Sequence, residues 1–231
     1  MVVPERSMMP ELLDSRPAAS AELGRNLREM AMLYCGSGGL RLGWRALERV
    51  VGSARVLLTL LDVAAGDGTI AVALVRRAAQ IGVALRPLIS DVQRNVVHIA
   101  AHHHVEKPVL AADALHLPFE SGSVDMVHCS QAIHHFAPAE AANLLRECAR
   151  VARCGVVVVD LRRSWLGYWG ARTLALGPLT ALGRHDGPLS VLRAYTPAEA
   201  RELAAAAGLK GVQMIVTPVY WALVWRKSAT N

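Results

Sequence analysis

Arg55-Val-Leu-Leu-Thr-Leu-Leu-Asp62-Val-Ala64-Ala65-Gly66-Asp67-Gly68-Thr-Ile-Ala-Val-Ala73 decides how the rest of the chain reads. Its first part is an unbroken apolar run, the pattern of a strand buried on both faces of a parallel sheet. It ends on a carboxylate, Asp62. Small residues follow, and then Ile70, Leu74 and Val75 take up a helical period. A strand, a tight glycine turn and a helix form a cradle for a nucleotide-like ligand, because glycine lets the backbone come close and a helix N-terminus offers free N–H groups. Gly66-Asp67-Gly68-Thr-Ile-Ala71 formally fits the dinucleotide fingerprint. An ordinary βα unit would look similar.

Outward from this stretch, the strand–helix alternation continues. Apolar runs at 84–90 and 109–112 end at Asp91 and Asp113, and 123–129 and 154–161 read as further strands. Helices are predicted over 91–101 and 139–152, the latter with Pro138 near its first turn. Arg184-His185-Asp186-Gly187-Pro188 reads as the turn closing an irregular, Trp/Tyr/Leu-rich piece, and Thr196-Pro-Ala-Glu199 as a capping box. Segments 212–217 and 219–226, split by Pro218, predict a terminal hairpin. Upstream, 1–19 carries Pro4, Pro10 and Pro17 and reads as partly irregular. Two amphipathic helices follow, from the N-cap candidate Ser20 to Tyr34 and from Leu40 to Val51, expected to pack over the ligand edge. The expected whole is one domain over 1–231, with a helical cap at 1–53 and a helical lid inserted at 162–190.

Composition limits the function classes. The 231 residues suffice for one sizeable core, with 53% hydrophobic and 19% charged residues. No apolar run approaches the ~18 to 20 residues that span a bilayer, and the start lacks a basic and apolar leader pattern, so a cytoplasmic protein without integral membrane contact is expected. The net charge of +6 is carried by scattered arginines, lysine occurring only at 107, 210 and 227, which describes a solvated surface rather than a nucleic-acid block. Cys35, Cys129, Cys148 and Cys154 form no C-x-x-C and read as reduced thiols.

With Asp62 ahead of the glycines, the stretch resembles motif I of the class I S-adenosylmethionine-dependent methyltransferases, (D/E)-x-G-x-G-x-G, with Ala64 in place of the first glycine. Asp113-Ala-Leu-His-Leu-Pro118-Phe119 and Ser121-Gly-Ser-Val-Asp125-Met-Val-His-Cys129-Ser130 resemble a second block of that family. The resemblance covers roughly 10–227 and is greatest to small bacterial relatives of the ubiquinone/menaquinone-biosynthesis C-methyltransferases, through Ile133-His134-His135-Phe136, Asp160-Leu-Arg162-Arg163-Ser164 and the 184–190 segment. It implies an α/β, doubly wound, mostly parallel seven-stranded sheet with an antiparallel edge hairpin. It implies S-adenosylmethionine as cofactor and S-adenosylhomocysteine as product, held by Asp62, Ala64, Gly66, Gly68, Asp91, Val92, Asp113, Ala114 and Ser130. Asp91 would accept from the ribose hydroxyls and Asp113 from the adenine amino group. Each strand-end acid also reads as a helix cap.

A small, largely apolar phenol-, quinone- or polyketide-like acceptor would be methylated on oxygen or carbon, in keeping with secondary metabolism. The rival class is a cofactor-binding scaffold or cyclase on the same fold. A nicotinamide reductase is disfavoured, since no tyrosine is followed four residues later by lysine, and Cys129-Ser-Gln-Ala132 stands where nucleic-acid methyltransferases often carry Asn/Asp-Pro-Pro-Tyr. His134 and His135, just past a strand, are base candidates, with His134 slightly preferred. His185 beside Asp186 is another candidate, or part of a turn. Tyr34, Arg162, Arg163 and Trp165 are candidate acceptor contacts. The 165–182 piece reads as a lid, a dimer face (a homodimer being possible) or a membrane-surface helix. No metal is expected: His102-His-His104 cannot converge on one ion from a helix.

Overall fold

The computed structural model describes residues 3–15, 20–52 and 57–227. The start of the first predicted strand (55–56) and the side chain of Ser20 lie outside the described residues. Helices α1 (Leu12–Ser15), α2 (Ser20–Gly36) and α3 (Gly39–Val51) precede β1 (Leu58–Val63). Then come α4 (Thr69–Ala79), β2 (Leu85–Asp91), α5 (Arg94–His103), β3 (Val109–Ala111), β4 (Val124–Ser130), a 3₁₀ turn (Ile133–His135), α6 (Pro138–Val151) and β5 (Ala152–Leu161). Helices α7 (Trp165–Leu174), α8 (Ala181–Arg193) and α9 (Pro197–Ala206) lead to the hairpin β6 (Gln213–Val216) and β7 (Tyr220–Arg226).

The seven strands run in the order β3-β2-β1-β4-β5-β7-β6, parallel except for β7, which pairs antiparallel with both β5 and β6. The expected doubly wound sheet is therefore present, and the strand order reverses direction between β1 and β4. In such a sheet ligands bind beyond the carboxyl ends of the strands at that switch point. The two faces of β4 and β5 bury different cores. Val127, Cys129, Val156 and Val158 pack towards α6 and α9, while Met126, Val157 and Val159 pack towards α3. That double burial explains the continuous valine run at 156–159.

Two local expectations change. First, α3 lies against a face of the sheet, burying Leu42, Trp44, Leu47 and Val50, and α2 alone of the two reaches the ligand edge. Second, Arg184–Pro188 is not a turn. It runs inside α8 with Pro188 in the helix interior, since burial of Leu189, Ser190, Val191 and Arg193 outweighs proline's missing N–H. Ala64, in the place of the motif's first glycine, stands in left-handed backbone, φ 52°, where only glycine is unstrained. Its methyl costs about 1–2 kcal/mol there, against roughly 0.5–1 kcal/mol of extra chain entropy that glycine loses on folding. Ala64→Gly is thus expected to leave stability unchanged or raise it by up to about 1.5 kcal/mol, read from the denaturant midpoint.

Candidate active site

Gly66 and Gly68 turn the chain out of β1 with φ of 57° and 77°. A Cβ at Gly68 would lie 2.7 Å from Ile89 Cδ1, so both conformation and space require glycine. The turn is tied to the next strand by Asp91, whose Oδ2 accepts from the Gly66 N–H at 3.0 Å while Oδ1 accepts from Gln93 N–H at 3.0 Å. Burial raises the Asp91 pKa, and the N–H donors of Gln93, Gly66 and Val92 counter only part of that rise.

These groups line a cavity of about 370 Å³ at the β1/β4 switch point. Ala64, Gly66, Asp91, Val92 and Ser130 form one side. Leu27, Met30 and Ala31 of α2 cover it, and Phe136 and Leu161 add apolar wall. Gln131, which also lines it, is the second non-glycine residue with positive φ among the described residues, at 51°. Backbone strain of this kind gathers at functional sites.

His134 and His135 line the cavity together with two acids from the N-terminal segment, Glu11 and Asp14. His134 is buried with Nδ1 2.8 Å from Asp160 Oδ1 and Nε2 3.5 Å from Glu11 Oε1. Burial alone would lower its pKa, but the charge and hydrogen bond of Asp160, helped by Glu11, push it up to about 10. His135 is a quarter exposed, with Nδ1 3.0 Å from Asp14 Oδ1. Burial works against the Asp14 carboxylate, yet His135 and Arg193 hold it down at about 2. Arg193 stitches the cluster, donating to Asp14 Oδ2 and to the carbonyls of Met9 and His135. Arg6 donates to the carbonyls of Phe136 and Arg193.

Glu11, His134 and His135 bring possible ligand atoms within 4.8 Å of one another, a grouping the histidine spacing alone did not predict. Both Nε2 atoms turn towards Glu11, at 3.5 Å from Oε1 for His134 and 3.8 Å from Oε2 for His135, while each Nδ1 already meets a second carboxylate, Asp160 or Asp14. A guanidinium nitrogen of Arg193 also sits 3.9 Å from Glu11 Oε1. The cluster is better suited to holding a proton than a cation.

Several predicted site residues lie elsewhere. Asp62 alternates onto the same face of β1 as Leu60, so its fully buried carboxylate meets His128 Nδ1 at 2.7 Å and does not line the cavity. Asp113 is exposed and caps its own turn, accepting from Leu115 N–H at 2.9 Å, while Ala114 is buried in the core. Neither borders the cavity, and Gly68 stays behind it. His185 is half exposed and paired with Asp186. Asp186 itself lines the cavity, accepting from the N–H groups of Leu12 and Leu13 and so fixing the segment that carries Glu11 and Asp14.

None of the four acceptor candidates lines the cavity. Tyr34 is wholly buried, edge-on to Tyr220, and Trp165 is exposed. Arg162 donates to Thr217 O. Arg163 is buried between Ala194 O and Glu199, anchoring the start of α9.

Residues 60–155 match the family model described as a methyltransferase domain. The chain is 26% identical over 135 residues to the ubiquinone/menaquinone biosynthesis C-methyltransferase of Cupriavidus pinatubonensis, covering 56% of this chain and 54% of that protein. The chain thus spans about half the length of the curated relatives it matches. Human N-acetylserotonin methyltransferase, solved in complex with S-adenosylmethionine, superposes with a TM-score of 0.65 at 17% identity, covering 90% of this chain and 56% of that one. An S-adenosylmethionine-dependent methyltransferase from Aquifex aeolicus gives 0.55 at 18%, covering 82% and 92%. Sheet order, glycine turn and domain match agree: residues 60–155 match a methyltransferase domain, set in a sheet with the fold of solved S-adenosylmethionine-dependent methyltransferases.

Proposed function

We propose that this chain methylates oxygen or carbon of a small, largely apolar acceptor, with S-adenosylmethionine as methyl donor. The observation that carries the reading is the convergence, in one cavity, of a glycine turn tied to Asp91 and a carboxylate-held imidazole, His135, beneath an apolar cover. The donor supplies an activated methyl group on a sulfonium.

The residues present suit that donor. Asp91 has oxygen lone pairs left after its two N–H contacts, suited to vicinal hydroxyls, and Ala64 and Gly66 allow close backbone approach. Asp62 and Asp113 have no part in this reading. Leu27, Met30, Phe136 and Leu161 suit an apolar acceptor and keep water out. His134, with both nitrogens facing carboxylates, holds a proton at neutral pH and serves as a fixed cation. His135, a quarter exposed where His134 is buried, is then the base: Nδ1 is held by Asp14, and Nε2, 3.8 Å from Glu11 Oε2 and beyond hydrogen-bond distance, can take the proton of an acceptor hydroxyl. The relatives' printed names, a quinone-biosynthesis C-methyltransferase and an N-acetylserotonin methyltransferase, fit a small cyclic acceptor.

The test is incubation with isotopically labelled S-adenosylmethionine and a panel of phenols, quinones and polyketides, read by mass spectrometry, with and without excess chelator. Labelled product is expected in both arms. Loss on chelation with recovery on added Zn²⁺ or Mg²⁺ would reassign Glu11, His134 and His135 as metal ligands. Tight S-adenosylhomocysteine binding with no product from any acceptor would favour a binding subunit over an enzyme.

A further inference from the structure

The first turn and outer face of α7 present Trp165, Leu166 and Trp169 to solvent, followed by Leu174 and Leu176, with Arg172 beside them. The exposures are large for such side chains: 67% at Leu166, 61% at Trp169 and 88% at Leu176. The inner face is different. Tyr168 and Ala171 pack on the core, and a Cβ at Gly167 would come within 3.2 Å of Val191 on α8. The outward apolar set is therefore not left over from a loosely seated helix. Trp165, Tyr168 and Trp169 stack edge-on, at 6.0 and 5.2 Å between centroids, which stiffens the face.

The charge of this region is one-sided. Between Asp160 and Asp186 there is no carboxylate, while Arg162, Arg163, Arg172 and Arg184 all fall there. Arg163 is spent on Glu199, leaving Arg172 and Arg184 exposed and Arg162 half-buried. Glu29, which reaches the segment from α2, is engaged at Thr180. The whole chain carries +6 in addition.

We propose that α7 and the Leu174–Leu176 end that follows it dock on the surface of a bilayer containing anionic phospholipid. Tryptophan and leucine would enter the headgroup boundary while the arginines meet lipid phosphates, the division of labour of an interfacial helix. A second copy of the chain fits this face less well, since neither copy offers a carboxylate between Asp160 and Asp186 to meet the other's Arg172. Among the described residues no helix is long and apolar enough to cross a membrane, so the contact would be peripheral.

The experiment is sedimentation of the full chain with vesicles of phosphatidylcholine alone or mixed equally with phosphatidylglycerol. Binding to the mixed vesicles, weakened by salt, and little to phosphatidylcholine alone is expected. The double substitution Leu166→Ala/Trp169→Ala should lower the partition by roughly tenfold or more with S-adenosylhomocysteine affinity retained as the check on folding. If that variant misfolds, Arg172→Glu is read in its place and should weaken binding to the mixed vesicles alone. Absence of binding to the mixed vesicles, or equal binding by the folded variants, overturns the proposal. So does a native dimer that Leu166→Ala/Trp169→Ala converts to monomer, which would make the face a subunit interface.

Discussion

Asp91→Ala is expected to weaken S-adenosylhomocysteine binding by about 1.5 to 3 kcal/mol, the range for a lost charge-assisted hydrogen bond, or roughly 10- to 150-fold in Kd. Two losses act together. The carboxylate would no longer accept from the ligand's hydroxyls, and the Gly66 N–H, held by Oδ2 at 3.0 Å, would lose its acceptor. The glycine turn would then be free to relax away from the geometry that lets the backbone approach a ligand. Asp91→Asn separates the two effects, since an amide oxygen can still take one N–H while the charge is gone. Calorimetry with each variant measures both. Because burial raises the Asp91 pKa, affinity should begin to fall, as the solution is acidified, at a higher pH than an ordinary aspartate would give. An unchanged Kd in Asp91→Ala would remove Asp91 from the cofactor site, and NADH binding without any heat from S-adenosylhomocysteine would reject the donor itself.

What could be read in the sequence follows from the range of the forces involved. Asp91, Gly66 and the Thr196–Glu199 capping box depend on neighbours a few residues away, and each stands where the sequence put it. The doubly wound sheet was legible because strand and helix periods alternate over short distances. Asp62 could not be placed from the pattern: a run buried on both faces hides which side chains face α3, and its partner His128 is 66 residues away. Asp113 satisfied the weaker reading of an acid at a strand end, a local cap. Glu11 and Asp14 were missed because the proline-bearing N-terminal segment carries no periodicity, and Asp186 and Arg193, which hold it, lie over 170 residues downstream. Pro188 misled for the opposite reason, since a local breaking signal was outweighed by burial that only the tertiary structure supplies.

The same distinction separates the two histidines, of which the sequence slightly favoured His134 as the base, whereas its burial between Asp160 and Glu11 moves that proposed role to His135. His135→Ala is expected to lower kcat by about 10² to 10⁴, the usual contribution of a positioned base, with S-adenosylhomocysteine affinity nearly unchanged because Asp91 and the glycine turn are untouched. His134→Ala is expected to act on stability. It would leave the wholly buried carboxylate of Asp160 without its cation, a loss of roughly 3–5 kcal/mol. The sign of the pH dependence follows from the direction of the shift. The His134 pKa is raised from 6.5 in the unfolded chain to about 10 in the folded one, so its contribution to stability is complete below 6.5 and is lost as the pH climbs through about 10. Wild-type Tm should therefore decline on going from neutral to alkaline solution, and this part of the slope should vanish in His134→Ala or in the better-packed His134→Gln. Paired measurements decide the assignment: kcat against pH for His135→Ala, and Tm against pH for the His134 variants. If His135→Ala keeps wild-type kcat at every pH with an acceptor of ordinary phenolic acidity, the imidazole only braces Asp14 and the N-terminal segment. Rate would then come from holding the acceptor in line with the methyl group, which can supply much of the acceleration by itself.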